Sequence, residues 1–331
     1  MSKLIDCLKL NKNSCFPIWF MRQAGRYLPE FREIRKKNTN FIKLCLNPKL
    51  STKITLQPIN RYNLDAAIIF SDILLVPYAL GQNVNFKSSE GPTLSEINIE
   101  EFLKDHSDNF INTMKPVYDA INITREKLHH DKSLICFIGA PWTLSLYMLN
   151  LKNNTEEIIK NSSKIKQLIT HLETYLKKHI LKQYNSGANC VQIFDSWAGL
   201  LPEKLIEEFC YKPNKSLVDF CKKNKIPVIC FPKGLKKKYK EFKSIVQPNG
   251  INIDYEVDPI WARDNLSDVC LQGGMDPKTL LKSDKEILFE VDKYLEVFKN
   301  SPYIFNLGHG ILPETNPDKI KMIIQRVEEK R

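Results

Sequence analysis

The chain has 331 residues, of which 43% are hydrophobic, and a formal net charge of +11 at pH 7. This length suits two ordinary domains or one large α/β barrel, and the apolar share is ample for a buried core. No apolar run approaches the roughly 20 residues that span a bilayer. The start, MSKLIDCLKLNKNS, has neither a continuous apolar region nor a small-residue cleavage site. The sequence therefore predicts neither a membrane protein nor a secreted one.

The cysteine content indicates the cellular compartment, and the lysine content bears on the kind of partner. The nine cysteines are an odd number and contain no Cys-Xaa-Xaa-Cys pair, which is typical of reduced thiols in a cytoplasmic protein. Lysine is spread along the chain, and we interpret its one dense cluster, Lys233–Lys243, as the solvated face of a helix. Charge alone leaves a nucleic acid, a membrane surface and an anionic small molecule open as partners.

Eight short β-like runs, most of them followed by helix-like sequence, alternate along the chain. The runs are Cys15–Met21, Ala66–Ser71, Ser133–Ile138, Asn189–Phe194, Ile226–Phe231, Ile251–Tyr255, Val269–Gln272 and Tyr303–Leu307. The helical candidates are 48–63, 155–186, 202–224, 283–299 and 316–329, with a short one in 256–268 and a turn-rich excursion, GQNVNFKSSEGP, at 81–92. Eight such units predict an α/β fold, a single closed (β/α)8 TIM barrel with a parallel sheet. Because no composition break divides the chain, we expect residues 1–331 to form one domain.

The segment Pro17–Arg35 has the most distinctive local pattern. An apolar, strand-like run is followed at once by the sequence RQAGR. Its arginines, Arg22 and Arg26, lie four residues apart with Gly25 beside the second, and a guanidinium offers a planar fork of donors suited to carboxylate or phosphate. This pattern indicates an anion clamp. The alternative is that both arginines pair with glutamates on a solvated helix start, and spacing alone favours that interpretation.

Polar residues or glycines follow nearly every predicted strand. They are Arg22, Arg26, Asp72, Gly139–Pro141, Asp195, Ser196, Lys233, Asp254, Gly273, Gly274 and His309. In a parallel barrel these strand ends lie on one face, which is where barrel enzymes place their active sites. The pattern therefore predicts a site at the carboxyl ends of the strands.

Asp72 follows the apolar run AAIIFS, so we expect it to project into a partly dry cavity. A carboxylate there is costly unless it meets a donor or a cation. The alternative is an N-cap for the next helix. Because the following residues, ILLVP, make a poor helix start, we favour a functional carboxylate.

Four stretches of the chain resemble one known family. They are PIWFMRQAGRYLPE at 17–30, FSDILLVP at 70–77, FIGAPWTLSLYM at 137–148 and NLGHGILP at 306–313. All four are similar to segments of the uroporphyrinogen decarboxylase family, and the similarity extends over roughly 16–317, more weakly at 82–132 and 205–249. The resemblance implies a TIM barrel that acts as a homodimer and needs no cofactor.

The resemblance also implies a substrate and a reaction. Members of this family remove CO₂ from the four acetate side chains of uroporphyrinogen III and leave methyl groups, giving coproporphyrinogen III in haem and tetrapyrrole synthesis. Protonation of a pyrrole carbon makes a cationic ring that accepts the electrons released as CO₂ departs, a task that other decarboxylases assign to a cofactor. A fixed negative charge beneath the pyrrole N–H groups would stabilise this cation most as it forms.

The family pattern then implies a role for individual positions. Asp72 is the implied negative charge, and Arg22 shares the catalytic assignment; an arginine is a poor acid at neutral pH, so Arg22 and a substrate carboxyl both stay open as proton donor. The implied substrate-binding residues are Arg22, Gln23, Ala24, Gly25, Arg26, Asp72, Tyr147, Ser196 and His309, with Phe31 and Arg35 lining the pocket.

Some of these assignments have alternatives. By spacing alone, Tyr147 is as consistent with a buried helix tyrosine as with a hydroxyl that binds a carboxylate. The glycines on both sides of His309 suggest that a ligand crowds the backbone, where the imidazole would donate to a carboxylate or move protons near neutrality. The loop 148–154 and Gly274, where Asn is more usual, depart from the family pattern and leave the loop geometry around the pocket open.

Two competing functions are weaker. Related barrels bind zinc through a His-Xaa-Cys pair and transfer methyl groups, but none of the six histidines has a cysteine two residues on, so we expect no metal. A protein that binds RNA or a membrane surface needs a concentrated basic face, which scattered lysines do not supply. We therefore expect an anionic tetrapyrrole and a second copy of the chain as partners, and neither nucleic acid nor membrane. The order of acetate loss and the isomer selectivity cannot be read from the sequence.

Overall fold

The computed structural model describes residues 2–10, 16–87, 91–104, 106–151 and 155–331. Its strands are β1 (Ala66–Ile68), β2 (Val84–Lys87), β3 (Gly91–Leu94), β4 (Ser133–Gly139), β5 (Cys190–Asp195), β6 (Val228–Pro232), β7 (Gly250–Ile253), β8 (Cys270–Gly273) and β9 (Tyr303–Ile304). All except β2 and β3 form one curled parallel sheet in the order β1-β4-β5-β6-β7-β8-β9. The predicted α/β class, with its parallel sheet, is therefore confirmed.

An extended segment occupies the eighth position of the predicted barrel. The first predicted strand began at Cys15, which lies outside the described residues, and Ile18 forms an isolated parallel bridge with Phe305 in place of a strand. Phe305 N donates to Pro17 O at 2.8 Å on one side, and Asp65 N donates to Ile18 O at 2.9 Å on the other. The segment thus lies between β9 and β1. The predicted α/β barrel architecture is confirmed, but among the described residues no regular eighth strand closes the barrel at this position.

The backbone amides of this segment donate to side chains, which explains why no regular strand forms. Ile18 N donates to Oδ2 of Asp65 at 2.7 Å, and Met21 N donates to Oδ1 of Asn306 at 3.0 Å. Pro17 has no N–H to contribute. Because a parallel ladder needs those donors for its evenly spaced inter-strand bonds, the sheet stays open between β1 and β9.

Helices lie between the strands of the sheet and pack around it. They are α1 (Lys3–Leu8), α2 (Pro29–Lys37), α3 (Phe41–Cys45), α4 (Pro48–Arg61), α5 (Leu75–Ala79), α6 (Ile99–Phe102), α7 (Ser107–Lys127), α8 (Pro141–Met148), α9 (Thr155–Lys160), α10 (Ser162–Asn185), α11 (Glu203–Ile206), α12 (Lys212–Lys223), α13 (Tyr239–Val246), α14 (Pro259–Asn265), α15 (Asp284–Phe298) and α16 (Pro317–Glu329). Within the described ranges, no helix is both long enough and apolar enough to cross a membrane.

Local sequence explains where these helices begin and what they bury. Helix α10 carries apolar residues at intervals of three or four, and this stripe is buried in the core. Helix α15 begins with a capping box in which Ser283 and Glu286 satisfy each other's backbone N–H groups. The helix predicted over 155–186 is divided into α9 and α10, and that over 202–224 contains a π-helical turn, Glu207–Tyr211. The excursion at 81–92 proved to contain strands, because β2 and β3 pair there as an antiparallel hairpin.

Helix α1 covers the amino ends of the strands. Leu8 Cδ2 lies 2.8 Å from the position that a Cβ would take at Gly250, so α1 packs this close to β7 because that residue is a glycine. Further inside, a buried polar layer follows: Trp19 Nε1 donates to Gln272 Oε1 at 2.9 Å, and Gln272 Nε2 donates to Asn252 Oδ1 at 2.7 Å. With the amino end covered, the polar residues after the strands lie at the opposite end, which we call the carboxyl face.

Candidate active site

A tight turn at the carboxyl face carries the two arginines of the predicted clamp. Leu28 N donates to Gly25 O at 3.0 Å, and a Cβ at Gly25 would lie 2.8 Å from Arg22 O, so the turn requires a glycine there. Arg22 has a φ of 63°, in the left-handed region that a long side chain rarely adopts. Ala24 is half-buried and Arg26 is exposed in the same turn. Backbone strain of this kind is found most often at functional sites.

In the structure, the glutamates of α2 pair with residues other than Arg22 and Arg26. Glu30 forms a bidentate ion pair with Arg61, with both N–O distances at 2.9 Å, and Glu33 pairs with Lys36 at 2.8 Å. Neither Arg22 nor Arg26 forms an ion pair with any residue that the structure describes. Their charges are therefore available to an anionic ligand.

The Arg22 side chain lies against the loop that contains His309. A Cβ at Gly310 would lie 2.6 Å from Arg22 Cγ, so a glycine is needed for the arginine stem to pass. Burial lowers the pKa of Arg22, the charge of Arg26 lowers it further, and the charge of Asp72 opposes both effects. By surface area the Arg22 side chain is exposed, and only its stem packs closely, against Gly310. An arginine keeps its charge at any working pH, so this face presents an accessible cation close to a carboxylate.

Asp72 has one engaged carboxylate oxygen and one open one. Oδ1 accepts a hydrogen bond from Leu74 N at 2.8 Å. Helix α5 begins at Leu75, so the expectation that ILLVP would not start a helix was wrong, and Asp72 does shape this turn. Oδ2 accepts no hydrogen bond from the residues described. Burial raises the pKa of Asp72 to about 6, although the Leu74 amide and the charge of Arg22 lower it.

The other carboxylates that follow strands of the sheet are occupied. Asp195 Oδ1 accepts from Thr143 Oγ1 at 2.7 Å, and its Oδ2 accepts from Asn214 Nδ2 at 3.0 Å. Asp254 likewise accepts hydrogen bonds on both oxygens, from two backbone amides and a tyrosine hydroxyl. Asp72 differs from both in having an oxygen left for a ligand's N–H groups.

Tyr147 and Ser196 bring hydroxyl groups to the same face. Tyr147 is half-buried near the end of α8, and its ring lies edge-on to Trp197 with a centroid distance of 6.1 Å. Burial raises the pKa of Tyr147, and so does the charge of Asp72, whereas a hydrogen bond with Trp197 and the charge of Arg22 lower it. These mutual effects show that Arg22, Asp72 and Tyr147 lie within electrostatic reach of one another. Ser196 is half-buried in the turn that follows β5.

The contacts of His309 suit a neutral imidazole that donates through Nε2. Its Nδ1 accepts a hydrogen bond from Gly310 N at 2.8 Å, so the ring proton of the neutral form is on Nε2. Burial lowers the pKa of His309 to about 4, and the charges of Lys233 and Arg22 act in the same direction. A pKa this low favours donation from Nε2 to a carboxylate over proton transfer near neutrality, and both roles of His309 stay predictions.

The glycines beside His309 are explained by protein contacts, which corrects the inference that a ligand crowds this backbone. Gly310 faces the stem of Arg22. A Cβ at Gly308 would lie 2.8 Å from the carbonyl carbon of Asp254, so the loop packs directly on the backbone after β7.

We predict that His309 stays neutral through the working range of the protein. A histidine resonance that titrates with a midpoint of about 4, assigned by its absence in a His309→Gln variant, is the expected result in an NMR pH titration. The physical reason is burial beside two cations, which disfavours a third positive charge. A midpoint between 6 and 7 would contradict this prediction and restore His309 as a proton carrier.

The Gln23 side chain is fully buried and holds the turn to the sheet. Its Oε1 accepts from Phe20 N at 3.0 Å, and its Nε2 donates to Ala66 O at 3.0 Å. Both polar atoms of the Gln23 side chain are therefore engaged, so the binding role predicted for Gln23 would be carried out by its main-chain groups.

The two residues predicted to line the pocket also serve local structure. Phe31 is 5% exposed and packs edge-on against Phe70 with a centroid distance of 5.7 Å. Arg35 Nη1 donates to Thr39 O at 2.6 Å, and its guanidinium carbon lies 5.5 Å from the ring centroid of Phe41. Arg35 thus closes the carboxyl end of α2.

Lys233 lies at the carboxyl face, as its position after a predicted strand indicated, although the lysine cluster that begins with it was interpreted as the solvated face of a helix. It directly follows β6 and is half-buried, whereas the neighbouring lysines begin with the 3-10 turn Lys236–Lys238 and continue into α13. Its charge lowers the pKa of His309. Its position after a strand was the signal in the sequence that separated it from the lysines that follow.

The carboxyl face therefore presents cations without carboxylate partners among the described residues, one carboxylate with an open oxygen, two hydroxyl groups and a neutral imidazole donor. Such a constellation at the strand ends of an α/β barrel defines a class of protein that binds a polyanionic small molecule carrying N–H groups of its own.

Comparisons with known proteins agree. A family model described as "Uroporphyrinogen decarboxylase (URO-D)" matches residues 1–330. The chain is 41% identical to a uroporphyrinogen decarboxylase of Rickettsia felis, over 99% of this chain and 96% of that protein. It is 40% identical to one of Orientia tsutsugamushi, over 99% and 98%, and 36% identical to one of Mesorhizobium japonicum, over 98% and 97%. This chain belongs to the uroporphyrinogen decarboxylase family.

Solved structures show the fold alone. A methyltransferase from Methanosarcina mazei aligns with a TM-score of 0.83 at 17% identity, covering 99% of this chain and 97% of that one. A B12-independent methionine synthase from Shewanella aligns with a TM-score of 0.52 at 10% identity, covering 84% of each chain. Both resemblances support the barrel architecture and carry no argument about chemistry.

Proposed function

We infer that this protein removes the carboxyl groups of the four acetate side chains of uroporphyrinogen III and leaves methyl groups, giving coproporphyrinogen III in tetrapyrrole biosynthesis. It is a carboxy-lyase. The observation that carries this conclusion, beside family membership, is the half-buried Asp72, whose Oδ2 accepts no hydrogen bond from the described residues, close to Arg22, which forms no ion pair with them. A substrate with pyrrole N–H donors at its centre and carboxylates at its edge matches both groups at once.

In the proposed mechanism, Asp72 recognises the pyrroles and stabilises their cation. The pyrrole N–H groups donate to its open oxygen. A proton added to a pyrrole carbon makes the ring cationic, the bond to the acetate carboxyl breaks, and its electron pair returns to the ring as CO₂ leaves. A second proton then completes the methyl group, and loss of the first proton from the ring carbon restores the neutral pyrrole. A carboxylate fixed in a desolvated place acts most strongly on the cationic stage.

The cations and hydroxyls bind the carboxylates of the substrate. Arg22 and Arg26 provide forked donors for acetate and propionate groups. Tyr147 and Ser196 offer hydroxyl groups, and His309 offers Nε2–H. Arg22 and a substrate carboxyl both stay open as the proton donor, although the guanidinium keeps its proton throughout the working pH range and is therefore a poor acid.

We propose that residues 1–331 work as one unit, in the cytoplasm, and as a homodimer. The cytoplasmic assignment is supported by the odd number of cysteines without a Cys-Xaa-Xaa-Cys pair. The dimer is supported by exposed apolar side chains, Leu281, Phe289 and Ile260, which are 51%, 72% and 47% exposed.

Purified protein should convert uroporphyrinogen III to coproporphyrinogen III under anaerobic conditions after exhaustive chelation and desalting. Chromatography of the oxidised products should show species with seven, six and five carboxyl groups before the four-carboxyl product accumulates. The reason is that the protonated pyrrole itself accepts the electrons, so no added group is needed. Activity that disappeared and returned only with a metal ion or a nucleotide would contradict this mechanism. Protein that left the substrate unchanged but shifted RNA in a gel at physiological salt would favour the RNA-binding alternative.

A further inference from the structure

We propose that Lys233 is a further substrate-binding residue, which binds one carboxylate of the tetrapyrrole on the side of the His309 loop opposite Arg22. The proposal rests on the proposed function and assigns a role to a residue outside the family motifs considered above.

The backbone holds Lys233 in one place at the end of β6. Lys233 N donates to Asp195 O at 3.1 Å, and Lys233 O accepts from Gly199 N at 2.9 Å. The next residue, Gly234, donates its N–H to Asp254 Oδ2 at 2.7 Å. These bonds tie the lysine to the loops after β5 and β7, so the stem begins from a rigid position.

A close backbone contact between Gly199 and Gly234 also fixes this loop. Gly234 has a φ of 85°, and a Cβ on Gly199 would lie 2.8 Å from Gly234 Cα. Two glycines are therefore needed where the loops after β5 and β6 meet. This contact fixes the backbone from which the Lys233 side chain extends.

Lys233 and Arg22 flank the loop that carries His309. The Lys233 Nζ lies 6.0 Å from the ring centroid of Tyr255. The Tyr255 backbone contacts Gly308, and Gly310 contacts the stem of Arg22. The order Lys233, Tyr255, loop, Arg22 is thus a continuous arc along the carboxyl face, with the imidazole in the middle. Both cations act on the pKa of this imidazole.

The charge of Lys233 has no counter-ion within the part of the chain that the structure describes. It forms no ion pair there, and its contact with Tyr255 uses the face of a ring. Most other lysines of this segment are either exposed or paired: Lys238 pairs with Glu203, and Lys243 with Asp268. A half-buried, unpaired ammonium beside a neutral imidazole donor is suited to a carboxylate, which would accept from both.

The substrate carries more carboxylates than the arginines can bind. Uroporphyrinogen has eight, and Arg22 and Arg26 bind two in the proposed arrangement. One of the remaining carboxylates, placed beyond His309, would meet Lys233. This cation would hold the ring against turning while one acetate reacts.

Steady-state kinetics of Lys233→Met test the proposal, with Lys240→Met as a matched control. Both changes remove one ammonium and keep a long apolar stem, but Lys240 is exposed on α13. We expect the KM for uroporphyrinogen III to rise about tenfold to a hundredfold in Lys233→Met, the usual range for one charged hydrogen bond, with a smaller change in kcat. Lys233→Arg should recover most of the lost affinity, and the control should match wild type.

A second measurement separates this proposal from the proposed function. Anaerobic equilibrium dialysis with coproporphyrinogen III, which keeps the propionates, does not depend on turnover. Weaker binding of coproporphyrinogen in Lys233→Met indicates a propionate at Lys233. Unchanged binding together with a raised KM indicates an acetate, and either result supports the proposal. KM and dialysis constants equal to those of Lys240→Met overturn it, while wild-type protein that binds the tetrapyrrole without decarboxylating it overturns the proposed function instead. If Lys233→Met does not fold, Lys233→Gln takes its place in both measurements.

Discussion

Asp72→Asn should reduce kcat for uroporphyrinogen by about 10²–10³-fold, the usual loss when one well-placed electrostatic group is removed. The amide keeps the volume of the carboxyl and can still accept from Leu74 N, but it cannot offset a cationic pyrrole. Asp72→Glu keeps the charge and moves it by one methylene, so it should retain more activity than Asn. Steady-state rates of the two variants provide the measurement.

Thermal stability of the same variant should change in the opposite direction. The pKa of Asp72 in the folded protein is about 6, above its ordinary value of 3.8, so the fold prefers the protonated form. Stability of the wild type is therefore lost as the pH rises from about 4 to about 6. Asp72→Asn carries no such charge and should melt a few degrees higher than wild type at pH 7. This advantage should disappear near pH 4.

Asp195→Asn provides a matched control, since Asp195 also follows a strand and burial raises its pKa to about 6. Both of its oxygens accept from side chains, so an amide nitrogen there would face a donor and leave a polar group unsatisfied. We expect a lower melting temperature with a smaller loss of kcat. A helix-cap role for Asp72 predicts instead that its Asn variant turns over near the wild-type rate, and that outcome would remove the proposed charge role.

Arg22→Gly should separate activity from stability even more clearly. The left-handed φ of 63° costs a non-glycine residue about 1–2 kcal/mol, and glycine adds about 0.5–1 kcal/mol of chain entropy, so the net expected gain in stability is about 0–1.5 kcal/mol. Turnover should nevertheless fall by about 10²–10³-fold, because a cation placed close to Asp72 is lost from the site. Kinetics and melting curves on one preparation measure both effects.

Two further variants define what Arg22 contributes. Arg22→Ala should lose the same activity without the gain in stability, and Arg22→Lys should recover only part of the turnover, because an ammonium lacks the bidentate fork. Arg26→Ala should act mainly on KM. As a control, Lys225→Gly relieves a similar φ of 58° at an exposed position and should raise the melting temperature with no loss of turnover. Wild-type kinetics in Arg22→Ala would assign this arginine to structure alone.

Motifs in the sequence were enough to identify the family and to place its strands, because alternating β-like and helix-like runs are local properties. The strands from Ala66 to Ile304 fall within a few residues of their predicted bounds. Polar residues after those strands marked the face that carries the site. The sequence also pointed to Gly25 beside the arginines, and the structure gives the reason: the turn has no space for a side chain there.

The tertiary structure decided which of these residues keep a free group, and the reason is that partners come from distant parts of the chain. Glu30 is engaged by Arg61, so the arginines of the turn have no ion-pair partner among the described residues. Gln23 is engaged by Ala66, and both oxygens of Asp195 are occupied, whereas one oxygen of Asp72 accepts nothing from the part of the chain that the structure describes. Hydrogen bonds between positions so far apart leave no periodic trace in a single sequence.

The same reason explains the open edge of the sheet and the role of Lys233. Side chains of Asp65 and Asn306 take the amides that a first strand would have used, which no local propensity reveals. Lys233 lies in a lysine-rich run and is separated from it by the end of β6 and by the contact between Gly199 and Gly234. Local sequence determined the family, the alternation of strands and helices, and the face of the site. Long-range packing determined the state of each side chain on that face, because burial and pairing depend on what the folded chain brings beside it.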